Sequence, residues 1–326
     1  MPNINTHNIF SDDVLSRLDK KLNELVSKNK RLFDIGANGP DFLFFYNAKP
    51  WQLFKDHSLN KIGSILHNRC INEFYENILD NISKEQNNDI KDAKIAYCIG
   101  HILHYALDRV THPYIFYITG NGKDKSAYDH HRLESMIDTI MLDKYKHTCV
   151  KKFKYYELCK STNYDKDIIA NMYIGVINNV LNKEVEIEEI HQALNDWYDN
   201  TKLIYSKNGY KFKTAQLFET IIFNRWLLSG NIILNKIDTR YDVMNINKNV
   251  WHHPISNEEF NYSFFELYDI AIDLGIKLIE EFMLAINGKT NAFINIIDNK
   301  NYISGSNLRG EMTHFDLIYK KTPISE

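Results

Sequence analysis

The sequence carries two sets of metal-binding side-chain types that recur every four residues. Because one helical turn takes 3.6 residues, side chains at this spacing project from the same stripe of a helix. Imidazole and carboxylate groups are common zinc ligands, and two such stripes that face one space predict a centre with more than one metal ion. The chemistry of such a centre is hydrolysis by a metal-activated water. The two sets are His104, Asp108 and His112, followed by His130, Glu134 and Asp138.

Both sets of side chains have to be positioned by helices. Apolar residues at helical spacing predict where these helices lie. The central helix is predicted over 90–111. Pro113 marks its end, because a proline inside a helix loses a hydrogen bond and clashes with the preceding turn. The next helix, over 130–145, follows a glycine-bearing loop at 119–125. Further helices are predicted over 12–32 with Ser11 as the N-cap, 59–82, 166–181, 186–205, 213–237 and 264–284.

The predicted fold class is all-α. Strand-like alternation is scarce, no internal repeat is evident, and no strong linker divides the chain. We therefore predict a single multi-helix domain over residues 1–326. It comprises a metal-site half at 1–147, supporting helices at 160–287 and an irregular C-terminal tail at 288–326.

A buried loop is predicted at 34–46, between the first two helical segments. Its two glycines and Pro40 forbid a regular helix, and its aromatic side chains are too many for a solvent-exposed loop. Connecting segments often carry binding and catalytic residues. The aromatic residues of this loop are Phe42, Phe44, Phe45 and Tyr46. They could bind an acyl chain or a nucleic-acid base, or they could pack in the core, and we favour core packing.

The composition and net charge of the chain disfavour some classes of function. The 326 residues are 44% apolar, and the formal net charge is -3. Broad affinity for nucleic acid or anionic membranes is therefore disfavoured, and any such contact has to be local. No apolar run approaches the roughly 20 residues of a membrane span. The N-terminus lacks the features of a secretory signal, so a cytoplasmic location is expected, or secretion if a signal has been removed. The four cysteines lack C-x-x-C spacing and are expected to be reduced thiols.

In their order along the chain, these motifs resemble those of the zinc-dependent phospholipase C family, whose superfamily also contains the single-strand-specific zinc nucleases. The resemblance covers about residues 6–145 and, more loosely, 251–281. It implies an all-α fold with a cluster of zinc ions, two or three here, at the bottom of a cleft. The motifs are His104-x-x-x-Asp108, His112-Pro113, His130-x-x-x-Glu134 with Asp138, the loop Gly39-Pro40-Asp41, and the early His7.

The resemblance also implies a division of ligands among the ions. One ion is shared by Asp41, an upstream histidine, His104 and Asp108, and a second is held by His112, His130 and Glu134. In the family a third ion takes an N-terminal tryptophan, a histidine and the bridging carboxylate; His7 and Asp108 match the last two, but no tryptophan precedes Trp51. The upstream histidine is His57 or His67, and we prefer His67 because it lies on a clear amphipathic helix.

Two carboxylates have further implied roles. Asp41 orients the attacking water or acts as a base, and Asp138, one turn beyond Glu134, serves as an outer carboxylate to a ligating histidine. The remaining histidines are expected to be packed, structural or at the surface; they include His101, His131, His147, His191, His252, His253 and His314.

The predicted function is zinc-dependent phosphodiester hydrolysis, as in a phospholipase C that releases a phosphorylated headgroup from a phospholipid or cleaves a smaller phosphodiester. One alternative is a single-strand nuclease of the same superfamily, which the acidic net charge disfavours. The other is a non-catalytic homologue that binds metal or a partner. The sequence favours no oligomeric state.

Overall fold

The computed structural model describes residues 4–52, 54–308 and 310–322. Within these ranges twelve α-helices account for most of the chain, and one antiparallel pair of short strands, β1 (Trp251–His252) and β2 (Glu259–Phe260), stands beside them. The helices are α1 (Ile4–Arg17), α2 (Lys20–Lys28), α3 (Lys30–Gly36), α4 (Ser58–Asn68), α5 (Ile71–Ser83), α6 (Asn88–Thr119), α7 (Lys125–Lys146), α8 (Asn163–Leu181), α9 (Ile187–Ile204), α10 (Tyr210–Ile221), α11 (Phe264–Ile286) and α12 (Ala292–Ile297).

Helix α6 forms the centre of the fold. It packs against α1, α3, α7, α8 and α11, so that nearly every side chain from Ala93 to Thr119 is buried. Buried helices are usually apolar all round. A polar stripe on this helix therefore has to find its partners on the helices that enclose it.

The predicted end of α6 at Pro113 is wrong, because the helix continues to Thr119. Pro113 has no N–H to give to the carbonyl of Arg109, four residues earlier. That carbonyl faces Gly305 of the C-terminal tail, where a side-chain carbon would come within 2.1 Å of the oxygen. The tail can approach because Gly305 has no side chain, and its packing supports the helix past the proline.

The first predicted helix, over 12–32, is wrong in both its start and its continuity. It is three helices, and α1 begins at Ile4, so that Ser11 lies inside it rather than at its N-cap. The break after α1 is made by Asp19, whose side chain accepts the N–H of Leu22 and caps α2. The start of α1 depends on a contact with α7, described below, that a local pattern cannot show.

Two further predicted helices are shorter than their apolar patterns. The segment 59–82 divides into α4 and α5 at Cys70, whose φ of 61° is left-handed. The segment 213–237 keeps only α10, and Phe223 lies two residues beyond its end with a φ of 52°. In both places a residue outside the helical region of φ and ψ ends the helix.

The fold is all-α, as predicted, with an irregular C-terminal tail whose described residues include α12 and a short 3-10 helix, Ile318–Lys320. Among the described residues, no helix combines the length and the apolar composition that crossing a membrane requires. The four cysteines are free, and Cys98 and Cys159 are buried.

Candidate metal centre

Five elements bring all eight predicted ligands into one buried space. Three come from successive turns of α6, two from α7, and one each from α1, α4 and the 3-10 helix Asp41–Phe45. None of the eight is more than 6% exposed. They are His7, Asp41, His67, His104, Asp108, His112, His130 and Glu134.

Asp108 lies between two imidazole rings. Its Oδ1 is 3.2 Å from Nε2 of His7, and its Oδ2 is 3.2 Å from Nε2 of His104. Nδ1 of His112, one turn along α6, is 3.6 Å from the same Oδ2. His7, His104 and Asp108 form one of three groups whose ligand atoms all lie within 4.8 Å of one another. A carboxylate that presents each oxygen to a different imidazole is in position to bridge two ions.

Asp41, His67 and His104 form the second group. Oδ1 of Asp41 lies 3.0 Å from Nε2 of His67 and 3.7 Å from Nε2 of His104. His57 precedes α4 at the end opposite to His67, and the length of that helix, about 1.5 Å per residue, separates the two. The geometry therefore brings His67 and not His57 to Asp41.

The loop that carries Asp41 is fitted closely to α6. Gly39 has a φ of +51°, and a side-chain carbon built on it would come within 2.1 Å of Cδ2 of His104. Only glycine combines this backbone conformation with this approach at no steric cost. The Gly39-Pro40-Asp41 sequence thus places the carboxylate against the His104 ring.

His112, His130 and Glu134 form the third group. Oε1 of Glu134 is 3.0 Å from Nε2 of His130 and 3.6 Å from Nε2 of His112. His112, His130 and Glu134 are thus grouped apart from His104, while the division of all eight ligands among ions stays a prediction.

Backbone carbonyls orient two of the histidines, which no sequence motif predicts. Nδ1 of His112 lies 2.9 Å from the carbonyl of Tyr302, and Nδ1 of His67 lies 2.8 Å from the carbonyl of Gly63. If each Nδ1 carries the proton, it donates to the carbonyl and leaves Nε2 as the free electron pair that a metal requires. Tyr302 belongs to the tail, where no spacing or composition marks it as part of the centre.

Two polar atoms of this space lack a hydrogen bond within the described part of the chain. Nε2 of His104 and Oδ2 of Asp108 are buried without a hydrogen-bond partner among the described residues. Leaving such an atom unpaired costs about 1–3 kcal/mol. Ligand atoms around a tetrahedral zinc with bonds of about 2.0–2.2 Å lie roughly 3.3–3.6 Å apart. Five of the histidine–carboxylate separations here run from 3.0 to 3.7 Å. The residues present therefore suit zinc.

Burial and charge move the pKa values of these groups in opposite directions. Burial would lower the pKa of His112, but the carboxylates of Asp108 and Glu134 outweigh it and raise that pKa to about 9. For His104 burial dominates, and its pKa falls well below the usual value. Burial would raise the pKa of Asp108, but the surrounding histidines lower it. The carboxylate of Asp108 is thus held in the charged form that a cation needs.

Asp138 caps helix α1. Its Oδ1 accepts hydrogen bonds from the backbone N–H and the hydroxyl of Thr6, at 2.9 and 2.5 Å, and its Oδ2 accepts from the N–H of Asn5 at 3.2 Å. A carboxylate here satisfies N–H groups that the helix itself cannot. Burial raises the pKa of Asp138 to about 7. Asp138 therefore sets the position of the helix that carries His7, while its role as an outer carboxylate to a ligating histidine stays a prediction.

His101 lies on α6 but outside the three groups. Its ring stacks on Phe74 at 4.9 Å between ring centres, and its two nitrogens lie 3.1 and 3.2 Å from the hydroxyls of Tyr75 and Tyr173. Burial lowers its pKa to about 3. His101 is a packed, hydrogen-bonded histidine, as expected.

A pocket of about 730 Å³ opens beside the third group. His130, the most exposed of the eight, forms part of its wall next to Phe116, and their ring centres are 4.7 Å apart. Phe44 and Phe45 line the same pocket. The pocket leads from the surface to a side chain of the candidate centre.

The aromatic residues of the 34–46 loop therefore divide between the two interpretations. Phe42 and Tyr46 pack in the core, at 1% and 7% exposure. Phe44 and Phe45 are half-buried and face the pocket. The core-packing interpretation is correct for two of the four aromatic residues, and the other two are accessible to a ligand in the pocket.

Comparison with known proteins agrees with this geometry. The sequence model described as zinc dependent phospholipase C matches residues 6–183, more than half of the 326 residues. No curated protein and no solved structure matches the chain. The matched range contains all eight residues of the buried cluster. The chain belongs to the zinc-dependent phospholipase C family.

Proposed function

We propose that this protein is a phospholipase C-like hydrolase that cleaves phosphodiesters with a zinc-activated water. The observation that carries the proposal is the set of three adjoining groups of imidazole and carboxylate ligands at the wall of a largely apolar pocket. Family membership supports the reaction class, and the pocket supports a lipid as the substrate.

Within the centre, Asp108 is proposed to contribute to more than one ion site, because its Oδ1 lies beside His7 and its Oδ2 beside His104. His112, His130 and Glu134 would hold another ion. When bound, zinc lowers the pKa of a coordinated water toward neutrality and neutralises charge on the phosphoryl oxygens. The carbonyls of Tyr302 and Gly63 hold two of the imidazoles in the orientation that such binding requires.

Asp41 is proposed as the catalytic residue. Its carboxylate belongs to the same group as His67 and His104, and burial raises its pKa against the opposing effect of His67. A carboxylate at this point can accept a hydrogen bond from the attacking water and hold it in line with the phosphorus, or take its proton. Asp41 is therefore assigned two contributions, metal binding and orientation of the water.

The pocket is proposed to hold the acyl part of the substrate. Phe44, Phe45 and Phe116 provide aromatic walls, and Leu203 and Leu228 extend the apolar surface outward. Sites for small ligands are typically pockets of about 300–1,000 Å³ with apolar walls and a few polar groups at one end. Here the polar end is the metal centre at His130.

Two assays test the proposed function. Zinc-loaded protein is offered a chromogenic phosphocholine ester in one assay and single-stranded DNA in the other. We expect release of the chromophore, no cleavage of the DNA, and loss of turnover in Asp41→Asn. Asp165→Asn is the matched control, because Asp165 is also a buried carboxylate but caps α8 outside the centre.

Each other result contradicts the proposal in a defined way. Cleavage of DNA without cleavage of the ester identifies the chain as a nuclease of the superfamily. Bound zinc without turnover of either substrate identifies a non-catalytic homologue. Full activity in Asp41→Asn leaves the metal centre in place and removes Asp41 from the catalytic step.

A further inference from the structure

Helix α10 exposes several large apolar side chains, unlike an ordinary amphipathic helix. Its one buried side chain is Glu219, whereas Leu217 and Ile221 are 66% and 68% exposed. Helices on the surface of soluble proteins bury their apolar stripe and turn their charges to water. An exposed, contiguous apolar surface marks a site of interaction with a partner or a membrane.

The orientation of α10 is fixed by hydrogen bonds to the body of the protein. The carboxylate of Glu219 accepts the N–H groups of Leu228 and Ser229, at 2.6 and 2.7 Å, and the hydroxyl of Ser229 at 2.6 Å. The short 3-10 helix Ser229–Asn231 packs in turn against α7. One turn of α10 is thereby tied to the body of the protein by Glu219, and Leu217, Phe218 and Ile221 are left facing outward.

The turn after α10 extends the exposed surface. Phe223 is 90% exposed and has a φ of 52°. A bulky side chain in the left-handed region costs about 1–2 kcal/mol, and this one buries almost nothing in return. Tyr210, at the other end of the helix, is 73% exposed. Large aromatic side chains thus stand at both ends of an apolar helix face.

This surface continues into the rim of the pocket. Lys211 and Ala215 line the pocket, and Phe218 and Ile222 follow them along the helix at spacings of three and four residues. Leu203 lines both the pocket and an adjoining hollow that contains Trp51. A lipid acyl chain that entered the pocket from the side of α10 would pass over the exposed apolar face of this helix.

The same segment is locally cationic. Residues 201–225 contain four lysines, Arg225 and a single acidic residue, the buried Glu219, whereas the whole chain carries a net charge of -3. A second copy of this chain would bring two cationic faces together. A lipid bilayer instead offers phosphate groups of opposite charge and, beneath them, an apolar acyl region.

From these observations we infer that α10 and the turn after it dock on a phospholipid bilayer that contains anionic lipid. The proposed docking face comprises Tyr210, Leu217, Phe218, Ile221, Ile222 and Phe223, with Lys202, Lys207, Lys211 and Lys213 beside them. The apolar side chains enter the headgroup region, and the lysines lie at the phosphate level. Docking would bring the pocket to its substrate; that part of the inference rests on the proposed function.

Co-sedimentation with vesicles tests the docking face. The full-length, zinc-loaded chain is mixed with vesicles of phosphatidylcholine alone or of phosphatidylcholine with phosphatidylglycerol. Leu217→Ser/Ile221→Ser removes two exposed side chains that do not line the pocket, and Ile270→Ser/Leu284→Ser removes two exposed side chains of α11 as the matched control. We expect binding to the mixed vesicles to weaken by about tenfold or more in the α10 variant only, because binding scales with buried apolar area.

Two further measurements complete the test. Lys207→Gln/Lys213→Gln should reduce the preference for vesicles that contain phosphatidylglycerol. Hydrolysis of the soluble ester should be the same in the wild type and in Leu217→Ser/Ile221→Ser, because neither side chain reaches the pocket.

The outcomes separate this inference from the proposed function. The inference is overturned if the wild type does not bind vesicles, or if the α10 variant binds them as well as the wild type. It is also overturned if sedimentation velocity shows a dimer that the α10 substitutions dissociate, without any vesicle binding. Failure to hydrolyse the ester, with vesicle binding as expected, overturns the proposed function and leaves the docking face intact.

Discussion

Helices α6 and α10 depart from ordinary hydrophobic patterning in opposite ways. α6 buries His104, Asp108 and His112 within the core of the fold, whereas α10 turns Leu217 and Ile221 to the outside. Each arrangement costs folding free energy, since polar groups are desolvated in one and apolar groups are exposed in the other. We therefore propose that both helices are adapted to something outside the chain, metal ions for α6 and a lipid bilayer for α10.

The largest effect on metal content and activity is expected from a substitution at the centre of α6. Asp108→Ala removes a carboxylate that faces both His7 and His104, so we expect loss of metal from more than one site. His112→Ala should lose chiefly one ion. Activity in Asp108→Ala should fall by more than the roughly 10–100-fold that follows loss of an outer-sphere partner. Zinc analysis of both variants is the measurement, and full metal content in Asp108→Ala would show that the bridging role is wrong.

The two helices also differ in what their sequences reveal. His104, Asp108 and His112 predict a metal centre because chance seldom places ligand types at helical spacing on two successive helices. The apolar residues of α10 have the same spacing as a core helix, so the sequence pattern cannot tell an exposed face from a buried one. Which side faces inward is decided by Glu219 and its hydrogen bonds to Leu228 and Ser229.

Other parts of the fold and site were hidden for the same physical reason, namely that they depend on contacts distant in sequence. The start of α1 depends on Asp138, which is 132 residues from Thr6. The orientation of His112 depends on Tyr302, 190 residues away in the irregular tail. Ligand types, helix type and the buried character of the 34–46 loop are local properties, and the sequence predicted them.

A smaller effect on the centre is expected from Gly39→Ala. The added carbon would meet the His104 ring, so we expect reduced zinc content together with a loss of stability. Gly209→Ala is the matched control, because Gly209 also has a positive φ, of +71°, but has nothing within 4 Å of the added carbon. The control should lose only about 1 kcal/mol of unfolding free energy from backbone strain and keep its zinc. Equal zinc content in both variants would contradict the close fit of Gly39 to His104.

A change confined to the α10 side is expected from Glu219→Gln. The amide cannot accept all three hydrogen bonds of the carboxylate, and the loss should cost about 1–3 kcal/mol. Limited proteolysis of the 206–228 segment should accelerate while zinc content stays at the wild-type value. Gln216→Ala, at an exposed position of the same helix, serves as the control. Slower or unchanged proteolysis would mean that Glu219 does not hold the helix in place.

The smallest effect on metal is expected from His101→Phe. Although His101 lies on α6 three residues before His104, its nitrogens face the hydroxyls of Tyr75 and Tyr173. The variant should keep all its zinc and lose about 1–3 kcal/mol of unfolding free energy, because two buried hydroxyls lose a partner. Zinc analysis and chemical denaturation measure the two quantities. Loss of zinc would place His101 in the centre and break the distinction between packed and ligating histidines.

The zinc content of the purified wild-type chain tests the central claim most directly. The three groups of buried ligands predict two or three tightly held equivalents per chain, which mild purification should retain and prolonged chelation should remove. Fewer than one equivalent, with no uptake when zinc is added back, would contradict the metal centre and every role assigned to it.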